Sequence, residues 1–154
     1  MTILESAQRQ AVVHEALTWR RTPFHHEAMV KGAGVDCALL IWKCYSDLGL
    51  IETIDPRPYS SDWMLHRSEE KFLKIVLASA HEITAADAEP GDVVLFKHGR
   101  CFAHGGIITV AKPLTIVHAF AQAKRVVEEE VHRNAQLAKK LATARYASYW
   151  GKAA

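Results

Sequence analysis

The sequence predicts an α+β fold, with helices in the first half of the chain and an antiparallel sheet in the second. Three observations carry this. Apolar residues before position 80 recur at helical spacing. After the turn signature Glu89-Pro90-Gly91-Asp92, the period changes to short runs rich in β-branched and aromatic residues. Helical runs followed by strand runs argue for an antiparallel sheet packed against helices, rather than an alternating parallel fold.

The elements follow in order. Leu4, Ala7, Val12, Val13, Ala16 and Leu17 place a helix between Ile3 and Arg20. A turn-rich segment from Arg21 to Gly34 contains Pro23 and two glycines. Val35 to Leu48 reads as a buried helix that stops at Gly49. Asp55-Pro56-Arg57-Pro58 breaks the chain, and Ser61 or Asp62 caps a third helix running to about Ala80. Val93 to Phe96, Gly105 to Val110 and Leu114 to Phe120 read as strands. Ala111-Lys112-Pro113 joins the last two as a hairpin. Val131 to Leu141 reads as a short helix and Tyr146 to Trp150 as a closing strand.

With 154 residues and 49% hydrophobic content, residues 1–154 are expected to form one domain around a single core. A net charge of +2, without a basic stripe interleaved with aromatics, argues against a nucleic-acid partner. The N-terminus has no basic segment followed by an apolar one, so no secretion signal is expected. No apolar run approaches the roughly 20 residues that span a bilayer. These features leave the localisation open: a protein made in the cytoplasm, for which any export would take a route of its own. The three cysteines form neither a CxxC pair nor a disulfide ladder. Cys44, two turns after Cys37, reads as core, with Leu40 and Trp42.

One segment carries candidate chemistry. Gly32-Ala33-Gly34-Val35-Asp36-Cys37 opens the second helix. The first turn of a helix has unpaired N–H groups and a partial positive charge, and both favour a thiolate. A cysteine there is placed as a nucleophile, with backbone N–H groups available for an oxyanion. The same spacing also fits a buried cysteine that happens to begin a helix. His104 begins one predicted strand and His118 lies on the next. With the hairpin centred near Lys112, the two become diagonal neighbours on one face. One can then take the thiol proton while the other fixes its tautomer. A slip of one residue in register separates them.

At these residues the sequence resembles the NlpC-type cell-wall cysteine peptidases, a papain-like group of peptidoglycan endopeptidases. Asp36-Cys37 is similar to the start of that family's Asp-Cys-Ser-Gly motif. His104-Gly105-Gly106 is similar to its strand-opening His, and His118 to the third polar residue on the next strand. Pro90-Gly91-Asp92-Val93-Val94-Leu95-Phe96 resembles the turn and strand before that His. Thr22-Pro23-Phe24-His25-His26 before the nucleophile resembles the phage-tail branch. The resemblance spans roughly residues 10 to 120.

The resemblance implies a papain-like fold with Cys37 as nucleophile, His104 as base and His118 orienting it. It also implies a peptidoglycan peptide as substrate, and phage-tail proteins as partners. This chemistry needs no cofactor and no metal. Asp36 either binds a substrate amine or caps the helix. Phe24 stands where the family has a Tyr near the site, and Trp63 is a candidate for the cleft wall or the interior. Ala38-Leu39 replaces the family's Ser-Gly, which removes one hydroxyl from the substrate-recognition region.

Three rival readings accompany this one. His98, Cys101, His104 and His118 carry zinc-type donors, although loop and strand do not align an i, i+3 spacing as a helix does. A structural protein can keep the fold without the activity, as a tail-assembly component does. A Cys-His pair also serves an amidase or an acyltransferase. The Glu128-Glu129-Glu130 run reads as a solvated face.

Overall fold

The computed structural model describes residues 1–52, 55–57 and 71–151, and Trp63 lies outside them. Helix α1 spans Ile3–Thr18, and the Thr2 side chain caps it by accepting from the Glu5 N–H at 3.0 Å. Arg9, Val12 and Ala16 are its buried residues, spaced as one helical face. Two short strands, β1 (Met29–Val30) and β2 (Gly34–Val35), pair antiparallel and lead into α2 (Cys37–Asp47). Val35 therefore belongs to a strand rather than to the helix. The helix ends as the sequence indicates. Gly49 takes φ +69°, and the Leu50 N–H reaches back to the Tyr45 carbonyl. Helix α3 is Lys71–Leu77, inside the expected third helix, whose earlier residues lie outside the described ones.

The sheet has six antiparallel strands: β3 (His81–Ile83), β4 (Val93–His98), β5 (Cys101–Val110), β6 (Thr115–Phe120), β7 (Arg125–Glu130) and β8 (Arg145–Ser148). Their spatial order is β3-β8-β4-β5-β6-β7. The fold is α+β, with helices packed on the sheet. Alternation decides which face each residue serves. Val93, Leu95, Ile107, Val117, Ala119 and Ala147 pack with Val12, Ala16, Leu39 and Leu40 of the helices. Val94, Phe96, Ile108, Ile116 and Tyr146 face the other way and pack with Val131 and Leu137. Both faces are covered, so the strands read as continuous apolar runs.

The closing strand forms as β8 and lies inside the sheet, between β3 and β4. One expectation is corrected. The helix expected from Val131 to Leu141 is broken into a 3₁₀ turn over Val131–Arg133, a short α4 (Ala135–Ala138) and a second 3₁₀ turn over Leu141–Thr143. Asn134 interrupts it. Its side chain accepts from the Gln136 and Leu137 N–H groups, restarting the helix with a cap.

A buried ion pair fastens α1 to the turn before β4. Arg9 Nη1 lies 2.8 Å from Asp92 Oδ1, with Arg9 Nε 2.9 Å from Glu5 Oε1. The guanidinium stacks 4.4 Å from the Trp150 ring centroid. Gly91 has φ +94°, and a Cβ there would meet the Arg9 backbone at 3.2 Å. The Pro-Gly-Asp turn is thus a docking point between layers. Tyr45 of α2 donates to the Gly91 carbonyl at the same place. Among the described residues, no helix is long and apolar enough to cross a membrane.

Candidate active site

Asp36 sets the start of α2. Its backbone is extended (φ −105°, ψ 178°), and its carboxylate Oδ1 accepts from the Leu39 N–H at 2.9 Å. The second oxygen, Oδ2, accepts from the Glu27 N–H at 2.8 Å, and His26 Nδ1 lies 3.8 Å from it. Of the two roles open to Asp36, this geometry displays the cap. The same carboxylate also ties the loop before the helix to its first turn.

Cys37 follows as the first helical residue and is half-buried. Its Sγ donates to the Ala103 carbonyl at 3.7 Å. Ala103 sits at a bulge: Phe96 pairs with His104 and Lys97 with Phe102, leaving Ala103 as the extra residue. A bulged residue is left out of the ladder, and bulges re-aim groups beside functional sites. The bulge therefore presents a carbonyl to the thiol immediately before His104.

The expected low thiol pKa is corrected. Burial, followed by the Asp36 carboxylate, pushes the Cys37 thiol up to about 12. Backbone N–H groups of Ala38, Cys37 and Gly105 pull the other way and do not overcome this. The helix terminus acts as anticipated, but desolvation of the anion is larger. The resting group is a thiol.

The two histidines meet as the register requires. Ile107 pairs with Val117 and Ile108 with Ile116, so the hairpin is centred on Lys112. His104 Nε2 lies 2.8 Å from His118 Nδ1, with ring centroids 5.0 Å apart. His104 also contacts Phe96, His98 and Phe120, at centroid distances of 6.1, 5.7 and 5.7 Å. Burial, followed by repulsion from His118, His98 and Lys140, pushes its pKa well below the usual imidazole range. His104 is therefore neutral at rest. Gly106 makes the approach possible: a Cβ there would meet His118 Cβ, Ile116 Cδ1 and the Val117 carbonyl oxygen, each at 3.0 Å.

The pairing extends further than the sequence suggested. His118 Nε2 lies 2.8 Å from Glu129 Oε1, and Asn134 Nδ2 donates to the same oxygen at 2.8 Å. Glu129 is thus not a purely solvated residue. Ile116 pairs with Glu129 and His118 with Val127, so His118 and Glu129 are diagonal neighbours across β6 and β7. Nothing local in the acidic run marks Glu129; the pairing of β6 with β7 does.

The structure brings Cys37 to the backbone on either side of His104, and His104 to His118. It makes no hydrogen bond between the Cys37 thiol and the His104 ring. Phe24 is half-buried, bridged to Val35 and packed against the helix-side core. Among the described residues, no group of three or more His, Cys, Asp or Glu is placed to hold a metal ion. Cys44 and Cys101 are buried.

A cysteine opening a helix that packs on an antiparallel sheet bearing two paired histidines defines a papain-like α+β fold. Solved structures share this fold. The NlpC/p60 domain of the peptidoglycan hydrolase SagA aligns with TM-score 0.61 at 16% identity, covering 90% of this chain and 96% of that one. NlpC1 from Trichomonas vaginalis aligns with TM-score 0.60 at 16% identity, over 84% of this chain and 41% of that one. An N-acetylmuramoyl-L-alanine amidase from Bacteroides uniformis aligns with TM-score 0.55 at 12% identity, over 92% and 98%. At these identities the likeness is one of fold. No protein-family model matches the sequence, and no curated protein does.

Proposed function

We propose that this chain is a cysteine hydrolase that cuts peptide bonds in bacterial cell-wall stem peptides. Cys37 is the nucleophile, His104 the base and His118 the group that orients it. The observation that carries the reading is the 2.8 Å bond between His104 Nε2 and His118 Nδ1, on a strand whose Ala103 carbonyl holds the Cys37 thiol. The fold neighbours, a peptidoglycan hydrolase domain and a muramoyl-alanine amidase by description, support the substrate class.

Substrate draws the S–H away from the Ala103 carbonyl, and His104 takes the proton at Nδ1, the ring nitrogen not bonded to His118. The sulfur attacks the peptide carbonyl while the Cys37 and Ala38 N–H groups face the developing oxyanion. His104 then gives its proton to the leaving amine. Water, deprotonated by His104, releases the acyl group and restores the thiol. The neutral pair becomes an ion pair only in the occupied site, where water is excluded. Phe24 and Asp36 sit beside the opening of α2 and are proposed to shape the substrate side. The segment Thr22-Pro23-Phe24-His25-His26 supports association with a phage tail as the route to the wall.

A second reading is favoured by the resting thiol and by Ala38-Leu39. Both residues are buried and bring no hydroxyl to the site, which suits a scaffold that keeps the fold without turnover. Digestion of purified peptidoglycan and of stem peptides, read by mass spectrometry for wild type and Cys37→Ala, separates the readings. Cleavage within the stem peptide by wild type alone supports the endopeptidase. Cleavage between the lactyl group and the first alanine moves the assignment to an amidase. A folded wild type that cuts neither substrate favours the scaffold.

A further inference from the structure

We infer that Glu129 is a positioning residue that fixes the direction of the His104–His118 hydrogen bond and so leaves His104 Nδ1 free to accept a proton. The inference rests on the proposed Cys-His reading and assigns a role to a residue on a third strand. Hydrogen bonding from His118, with a further bond from Asn134, holds the Glu129 carboxyl below the usual range, so it is ionised at neutral pH. An ionised carboxylate has acceptors only. The proton in its 2.8 Å contact with His118 Nε2 therefore belongs to the imidazole. With His118 neutral, its single N–H is committed to the carboxylate and its Nδ1 is left as an acceptor. The proton in the 2.8 Å His104–His118 contact then belongs to His104 Nε2. His104 Nδ1 is left with its lone pair, as a base for a thiol requires. The opposite order would set the bare Nε2 of His118 against the carboxylate, two acceptors with no proton between them. Asn134 Nδ2 donates to the same oxygen and keeps the carboxylate aimed along β7 at His118.

Nitrogen-15 NMR of the histidine rings tests this without any substrate. In the wild type, His104 and His118 should both be Nε2–H tautomers. In Glu129→Leu, the His118 tautomer should become mixed and that of His104 should follow. Glu129→Gln, which keeps an acceptor oxygen, should restore the wild-type pattern. On a cleavable stem peptide, Glu129→Leu should lower kcat by about 10- to 100-fold, the scale on which a metal-binding histidine loses function without the partner that orients it, with KM changed by no more than about twofold. A wild-type spectrum with His104 as the Nδ1–H tautomer, or with His118 doubly protonated, overturns the inference, and it does so even if the Leu variant fails to fold. Unchanged tautomers in a folded Glu129→Leu overturn it as well. Absence of cleavage by the wild type counts against the proposed function, while the tautomer pattern still decides the role of Glu129.

Discussion

Gly106→Ala tests whether the two histidines need the backbone to come this close. The new Cβ would stand 3.0 Å from His118 Cβ, Ile116 Cδ1 and the Val117 carbonyl oxygen. Carbon atoms pack best at about 3.5–4.0 Å, so each contact with carbon is short by roughly half an ångström or more. The Ile116 methyl can turn aside. The Val117 carbonyl belongs to the β6 backbone, and the His118 side chain is held at both ring nitrogens by 2.8 Å bonds. Overpacking of this kind costs about 1–3 kcal/mol, or roughly 2–12 °C in Tm for a chain of this size. Moving His118 by half an ångström also disrupts its two short bonds, so turnover should fall by at least about 100-fold, as when a base loses its orienting partner. Gly49→Ala is the matched control. It meets nothing within 4 Å but carries φ +69°, so it should destabilise by about 1–2 kcal/mol and leave turnover unchanged. Thermal unfolding together with stem-peptide cleavage distinguishes the two. Wild-type turnover in a folded Gly106→Ala would refute the argument that glycine is needed for the histidine contact.

Two further predictions follow from the buried groups. Asp92→Asn leaves the Arg9 guanidinium buried with only Glu5 at ion-pair distance below 3 Å. Breaking such a pair typically costs about 3 kcal/mol, and chemical denaturation should register that loss with an unchanged slope. Cys37 should be slow to alkylate in the absence of substrate. With the thiol pushed up to about 12, the acid form dominates below that pH. The labelling rate should keep rising from pH 7 to pH 10 without a plateau, as thiol deprotonation requires. A plateau near pH 7, followed by mass spectrometry of modified Cys37, would show that the thiolate already exists at rest.

The parts of the site that were legible in the sequence are those fixed by local geometry. Asp36 before Cys37 is a cap at the start of an apolar helical run, and the Leu39 N–H completes it. The histidine pairing followed from a turn centre at Lys112 and a period of two, and the register agrees despite the shift between Ile108 and Val110. Gly91 in the Pro-Gly-Asp turn announced a bend, but not its partner: Arg9 lies 82 residues earlier in the chain and reads as an ordinary helix-surface arginine. Glu129 was hidden in the same manner. Inside Glu128-Glu129-Glu130 nothing local separates it from its neighbours, and only the pairing of β6 with β7 does so. Position β8 between β3 and β4 is a long-range outcome too, since a terminal strand can join either an edge or a gap.

The thiol pKa shows why site chemistry is harder to read than site position. The sequence contains the helix terminus that favours a thiolate, but not the burial that opposes it. Cys37 and His104 are both depleted of solvent, and each is neutral on its own account: the thiol pushed up, the imidazole pushed down. Desolvation penalises two isolated charges, while an ion pair recovers part of that penalty through mutual attraction in the same low-dielectric space. On the proposed Cys-His reading, proton transfer from sulfur to His104 is a single coupled event rather than two titrations. The structure holds the pair on the neutral side of that event by giving the S–H to Ala103. Whatever removes the proton from the Ala103 carbonyl tips the balance. On the proposed reading a substrate with an electrophilic carbonyl beside Cys37 does so, which makes the resting thiol compatible with catalysis and not only with a scaffold.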